Sequence, residues 1–117
     1  MATEINQYGY QKIREFVIAN WKYLEVRTPT GTVLKRFGTA DGLVITGNGS
    51  TPEISYKLVI KGSDALFANQ TVGKSVIFDS PTGTNAIATE SLSTSFTFES
   101  ADDELTIIHK LQVPQVL

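Results

Sequence analysis

The sequence predicts a mainly β protein: a β-sandwich or partly open barrel of about seven or eight antiparallel strands, with one amphipathic helix at the N-terminus. Residues 91–113 alternate apolar and polar side chains in two stretches around an acidic turn, and turn residues recur every 8–12 positions. Helical spacing occurs in the first twenty residues. A length of 117 residues suits one domain, divided into a helix (3–20), a sandwich (21–113) and an extended tail (114–117).

The helix is predicted from Thr3, as its cap, to about Asn20. At 100° per residue, an apolar stripe that we expect to be buried lies along one side of the helix. It is formed by Ile5, Gly9, Ile13, Phe16 and Val17. Because glycine weakens a helix interior, Gly9 within this stripe predicts the close approach of another backbone. Ile18 falls on the opposite, polar face, either as a single exposed residue or as a contact to a second subunit.

The strands follow in alternating segments bounded by turn residues. A turn at Thr28–Gly31 separates the first two strands, and Gly73 predicts a bulge. We expect the last two strands to form a hairpin from Ser91 to Val113, preceded by a short strand at Ala86–Thr89. The other predicted strands are Trp21–Arg27, Thr32–Phe37, Leu43–Thr46, Glu53–Lys61 and Thr71–Phe78.

Charge and hydropathy exclude several classes of partner. The chain has ten basic and twelve acidic residues, with a net charge of −2 and no basic run that would match a phosphate backbone. An apolar run near the 20 residues that cross a bilayer is absent, and so are the regions of a secretory signal. We therefore expect neither nucleic acid nor membrane as a partner, and a product made inside the cell.

The residues that usually carry chemistry are scarce, so no catalytic, cofactor-binding or metal-binding residue is predicted. The chain has no cysteine and one histidine, His109, which lies in the apolar phase of its strand as a core or interface residue would. A Ser-His-Asp site stays open, although no Gly-x-Ser-x-Gly motif is present. The acidic residues Asp102, Asp103 and Glu104 are typical of a hairpin turn, with a calcium site as the alternative.

Several apolar side chains are candidate interface residues. The chain ends in an apolar, extended segment after Pro114, and this tail either tucks into its own domain or adds to the sheet edge of a neighbouring subunit. The candidate interface residues are Ile18, Trp21, Tyr23, Pro114, Val116 and Leu117. Trp21 and Tyr23, next to Arg27, alternatively indicate a sugar-stacking or cation–π surface, and Tyr56 completes the aromatic set on which this alternative depends.

The two ends of the chain resemble small structural proteins encoded in the virion modules of tailed phages and prophages. The resemblance lies in Tyr8-Gly9, Trp21–Arg27, Gly31 and Leu34–Phe37 at one end, and in Phe96–Glu99 and Asp103–Pro114 at the other. It implies a building block of a head–tail connector, tail or baseplate. Such a subunit works in a symmetric ring or bound to a larger assembly, located in the virion and assembled in the host cytoplasm.

The leading hypothesis is therefore a non-enzymatic structural or assembly protein of a phage or prophage particle. Its expected partners are further copies of itself and other virion proteins, and no cofactor is expected. The alternative hypothesis is a carbohydrate- or surface-binding β-sandwich module, for which a glycan would be the ligand. This alternative rests on analogy between folds and on the aromatic set.

Overall fold

The computed structural model describes residues 1–114, and it confirms the predicted fold class. One helix, α1 (Gln7–Asn20), precedes seven strands. The strands are β1 (Tyr23–Arg27), β2 (Val33–Phe37), β3 (Val44–Thr46), β4 (Glu53–Lys61), β5 (Thr71–Phe78), β6 (Ala88–Thr97) and β7 (Glu104–Gln112). A short 3₁₀ turn at Thr39–Asp41 lies between β2 and β3. Val116 and Leu117, two of the candidate interface residues, lie outside the described residues.

The strands form two antiparallel sheets that enclose one apolar core. The first sheet has the order β2-β1-β5-β6 and the second has the order β3-β4-β7. Since no strand joins the two sheets into a closed ring, the architecture is a sandwich and not a barrel. The inner side of β4 shows the alternation most clearly, with Ile54, Tyr56, Leu58 and Ile60 all buried.

The predicted hairpin at Ser91–Val113 is wrong, because its two halves belong to different sheets. β6 pairs with β5, and β7 pairs with β4 along its whole length, from Glu53 opposite Gln112 to Lys61 opposite Glu104. The acidic turn therefore crosses from one sheet to the other. Gly62 makes room for this crossing: its amide donates to the Asp103 carbonyl at 2.7 Å, and a side chain there would overlap the Ser100 carbonyl.

The pairing is irregular at Gly73, where a bulge is predicted, but the extra residues lie on the partner strand β6. Val72 pairs with Phe96 whereas Lys74 pairs with Ser91, so Gly73 alone stands opposite the four residues 92–95 of β6. The turn between β1 and β2 lies directly on Gly73. A Cβ atom at this position would come within 2.6 Å of the Pro29 Cα. Only glycine leaves the space that this turn occupies.

The helix differs from its prediction in its start and in its buried side. It begins at Gln7 after Asn6, so Thr3 is not its cap. Its buried side chains are Arg14 and Val17, with Ile18 packed against the core, whereas Ile5, Ile13 and Phe16 are exposed. The expectation that Ile18 lies on the solvent side is therefore wrong. Gly9 also has no neighbouring backbone: a Cβ atom there would meet only the Ile5 side chain, at 3.4 Å or more.

Candidate interaction surface on the helix

The helix is held on the domain along one side. The Arg14 side chain, itself buried, donates from Nη1 to the Gly49 carbonyl at 2.8 Å and from Nε to the Val113 carbonyl. These acceptors lie in the β3–β4 loop and just after β7. Hydrogen bonds from a charged donor are stronger than neutral ones. Arg14 therefore fixes α1 to two segments of the second sheet that are distant in sequence.

Apolar and polar contacts continue this attachment to the end of the helix. Val17 is fully buried, and Ile18 and Trp21 pack against the core. The buried Tyr56 hydroxyl donates to the Trp21 carbonyl at 2.7 Å, and burial raises the pKa of Tyr56. The last turn of α1 is thus tied to the centre of β4, which sets the direction in which the opposite side of the helix points.

The opposite side of the helix is an apolar surface open to solvent. We name Ile5, Gly9, Ile13 and Phe16 the outer helix face. The exposed fractions are 47% for Ile5, 39% for Ile13 and 57% for Phe16. The Phe16 ring meets the Trp21 ring edge-on, at a centroid distance of 6.4 Å and an interplanar angle of 88°. This strip contains most of the residues that the sequence pattern assigned to the core.

Charged side chains border the outer helix face on one side. Lys12 Nζ lies 3.5 Å from the Glu15 carboxylate and 5.1 Å from the centre of the Tyr8 ring, which is itself 67% exposed. Gln11 also donates to Glu15, and this bond contributes most to lowering the Glu15 pKa. An apolar strip with a polar border is the composition that protein contact surfaces share.

None of the candidate interface residues that the structure describes, namely Ile18, Trp21, Tyr23 and Pro114, is part of the outer helix face. Ile18 faces the core, and Trp21 is half-buried beside Phe16. Tyr23 is half-buried against Gly38, where a Cβ atom would come within 3.0 Å of its ring, and Pro114 is half-buried after β7. Sequence reasoning found the apolar residues of the outer helix face but assigned them to the core.

The aromatic residues of the carbohydrate hypothesis do not share one exposed platform. Tyr56 is fully buried, and Trp21 and Tyr23 are half-buried. Arg27 is occupied by the buried Glu25, with Nη2 2.6 Å from its carboxylate. A shallow depression of about 470 Å³ beside the β3–β4 loop has polar lining residues without an aromatic ring, namely Thr46, Gly47, Asn48, Thr51, Glu53 and Ser55.

The one histidine forms a buried bridge between the two sheets. His109 Nδ1 of β7 lies 2.9 Å from the Ser75 Oγ of β5, and both residues are buried. Burial lowers the pKa of His109, while the negative charge of Glu90 acts in the opposite direction. Because Ser75 is fully buried in mid-strand, its hydroxyl is closed to a substrate in this conformation. The geometry gives the pair a structural role, and the prediction of a core histidine is confirmed.

The acidic turn is stabilised by hydrogen bonds from its own backbone to the Asp103 carboxylate. One Asp103 oxygen accepts from the backbone amides of Glu99 and Ser100 at 2.7 and 3.0 Å, as expected for a turn. Within residues 1–114, no group of three or more His, Asp or Glu side chains is placed to hold a metal ion. In the same range, no helix has the length and apolar character that a bilayer crossing demands.

Comparisons of the chain with protein-family models, with curated proteins and with solved structures find no match.

Proposed function

We propose that the protein is a non-enzymatic structural or assembly protein that acts by self-association, with the outer helix face as its contact surface. The observation that supports this proposal is the exposure of Phe16, Ile13 and Ile5 on one side of a helix whose other side is anchored to the domain. Apolar side chains grouped on one side of a positioned helix are a feature that protein contact surfaces share.

The anchoring of α1 favours this function, because a contact surface must be positioned before it is used. Arg14 and Val17 hold the helix in place, so Phe16 is presented without a further folding step. Preorganisation of this kind reduces the entropy lost on association. The buried Ser75–His109 pair and the acidic turn have local roles and leave the outer helix face as the best supported functional surface.

We further propose that the assembly is a phage or prophage particle, in which this chain is a component of a connector, tail or baseplate. The support for this part is the resemblance at the two ends of the chain, which includes Tyr8-Gly9 and the segment from Trp21 to Arg27. The test is mass spectrometry of particles purified after prophage induction in a strain that carries the gene. Peptides of this chain at constant stoichiometry support the proposal, and particles without them contradict it.

Self-association is tested by light scattering behind a sizing column over a concentration series. We expect a mass above 12.8 kDa that rises with concentration, and we expect Phe16→Glu to return the protein to the monomer. Leu66→Glu is the matched control, since Leu66 is exposed to 55% and lies in a turn away from the helix. Both variants place a charge at an exposed apolar position, so circular dichroism should show unchanged folding.

Comparison of the two variants distinguishes association through the outer helix face from non-specific association through any exposed apolar side chain. Loss of association in Phe16→Glu alone supports the outer helix face as the contact surface. Equal loss in Leu66→Glu indicates non-specific hydrophobic contact and contradicts the proposal. A wild-type monomer at every concentration also contradicts it, and a glycan screen for the surface-binding hypothesis would then be the next experiment.

A further inference from the structure

We infer that two copies of this chain pair through their outer helix faces in an antiparallel, two-fold arrangement, with Phe16 of each copy over Gly9 of the other. This inference rests on the proposed self-association and adds the partner, the orientation and the register. Gly9 is the third residue of α1 and has no positive φ, so neither a turn nor a close contact within its own chain requires a glycine there. A Cβ atom there meets only Ile5, at ordinary contact distances of 3.4–3.8 Å.

A glycine in this position leaves a notch in an otherwise apolar surface. Gly9 lies one helical turn before Ile13, and the side chain of Ile5, which precedes the helix, lies on the other side of it. Glycine in a helix interior lowers helix stability relative to alanine. Its neighbours give no compensating contact within the monomer, so the notch fits a group supplied from outside, and a bulky side chain or a close helix backbone would fill it.

The chain carries the matching group on the same face. Phe16, exposed to 57%, follows Gly9 by seven residues, and two turns of helix bring both to nearly the same angle. A two-fold axis at the level between Lys12 and Ile13 places residue 16 of one helix across from residue 9 of the other. The same operation makes the second, equivalent contact, as an isologous interface requires.

The domain does not obstruct this pairing. By helical geometry, the side that holds Arg14, Val17 and Ile18 lies roughly 130° around the helix from the outer helix face. The bulk of each copy is therefore directed away from the contact. Antiparallel helices also set their dipoles in the favourable orientation.

Lys12 and Glu15 form the charged border of the face, three residues apart, and are exposed to 55% and 45%. The two-fold operation keeps both on that border. It sets the two Lys12 residues beside each other near the axis, about 1.5 Å apart along the helix direction, with Glu15 of the other copy about 3 Å from each along that direction. Glu15 of one copy can thus offset the repulsion between the two lysines, which their exposure to solvent also screens.

The area of the face fits a weak homodimer. The open portions of Ile5, Ile13 and Phe16, together with Tyr8 on the border, amount to roughly 400 Å² per copy, taking usual areas for such side chains. A symmetric pair therefore buries about 800 Å² of this apolar surface. Specific interfaces of standard size bury about 1,200–2,000 Å², so this pair falls below that range and we expect a dimer that dissociates readily on dilution.

Gly9→Ala is the decisive variant, because its effects on folding and on pairing have opposite signs. We expect the melting temperature of the diluted monomer to rise by roughly 2–5 °C, since a methyl group fits there and alanine favours the helix. We expect the dissociation constant of the dimer to increase at least tenfold, because the methyl group fills the notch. Gln7→Ala, an exposed helical change away from this face, is the control and should leave association unchanged.

Orientation is tested with single cysteines, which are clean probes because the chain contains none. Ile13→Cys lies close to the expected axis and should be joined by a short bis-maleimide. Asn20→Cys, at the end of α1, should not be joined, because the two positions lie about 22 Å apart along antiparallel helices. Joining at both positions indicates parallel helices and overturns the inference.

The results distinguish this inference from the function on which it rests. A dimer that Phe16→Glu dissociates but Gly9→Ala leaves intact overturns the register and leaves self-association standing. A wild-type monomer overturns both. Weaker association in Gly9→Ala together with a higher melting temperature, and joining at position 13 alone, support the antiparallel pair.

Discussion

Replacing Ser75 by alanine should destabilise the sandwich far more than the loss of one small hydroxyl suggests. The Ser75 Oγ lies 2.9 Å from His109 Nδ1, and both side chains are buried between the sheets. Ser75→Ala leaves the ring nitrogen without this partner in an environment that water does not reach. An unsatisfied buried polar group costs about 1–3 kcal/mol, which for a domain of this size lowers the urea midpoint by about 1–2 M.

The double variant Ser75→Ala/His109→Leu should recover much of this loss. Leucine is close to histidine in size, and removing both polar partners leaves no unsatisfied group in the core. The two substitutions should therefore be strongly non-additive in urea unfolding followed by fluorescence and circular dichroism. A Ser75→Ala variant within about 0.5 kcal/mol of the wild type would refute the argument, as would a double variant that is less stable than Ser75→Ala alone.

The same pair makes a defined prediction for pH. Burial holds the pKa of His109 below its ordinary value of 6.5, so the unfolded chain binds the proton more readily than the folded one. His109 therefore costs no stability above pH 6.5. Below pH 6.5 it lowers the free energy of unfolding, by at most about 1.4 kcal/mol per pH unit. Glu90→Gln removes the charge that opposes this shift and should enlarge the loss, whereas the variant with His109→Leu should lack it.

Carboxylates change the stability of the protein in a lower pH range than His109, so the effect of the histidine can be measured separately. The backbone amide of Leu66 and the ammonium of Lys35 lower the pKa of Asp64 from 3.8, and contacts with Gln11 and Lys12 lower that of Glu15 from 4.5. Stability from these groups is present above those ordinary values and is lost only at lower pH. A loss between pH 6.5 and 5 that persists without His109 would contradict the assignment.

Two further predictions concern the positions where distant segments meet. Gly73→Ala should destabilise the protein by about 1–3 kcal/mol, because the added Cβ would lie 2.6 Å from the Pro29 Cα; an unchanged melting temperature would contradict the contact. Arg14→Gln should speed amide hydrogen exchange in α1 at least tenfold and leave the strands protected, since the bonds to Gly49 and Val113 are weakened or lost. Equal acceleration in helix and strands would show that α1 and the sheets open together.

The features that the sequence predicts well are those determined by neighbours along the chain. β4 and β5 have the predicted bounds: strict alternation defines β4, and the turn residues on either side define both strands locally. The core position of His109 follows from the same alternation. In the turn after β4, where alternation gives no guide, Phe67 is buried and its neighbour Leu66 is exposed, since adjacent residues of a turn point in different directions.

The features that the sequence does not predict depend on contacts between distant residues. Alternation shows that β6 and β7 each have an apolar side, but it does not show that their partners are β5 and β4. The orientation of α1 was also missed. Arg14 is polar in any pattern of hydropathy, yet it is buried through acceptors 35 and 99 positions away, and this turns Phe16 outward.

The irregular pairing of β6 with β5 hinders edge-to-edge pairing of strands between copies of this protein. β6 is a ten-residue strand at the border of its sheet, and such a border exposes backbone groups that another chain can pair with. The four residues opposite Gly73 interrupt its regular ladder, so a second chain cannot add along its full length. Growth into stacked sheets, the route to fibres, is therefore disfavoured on this side of the sandwich.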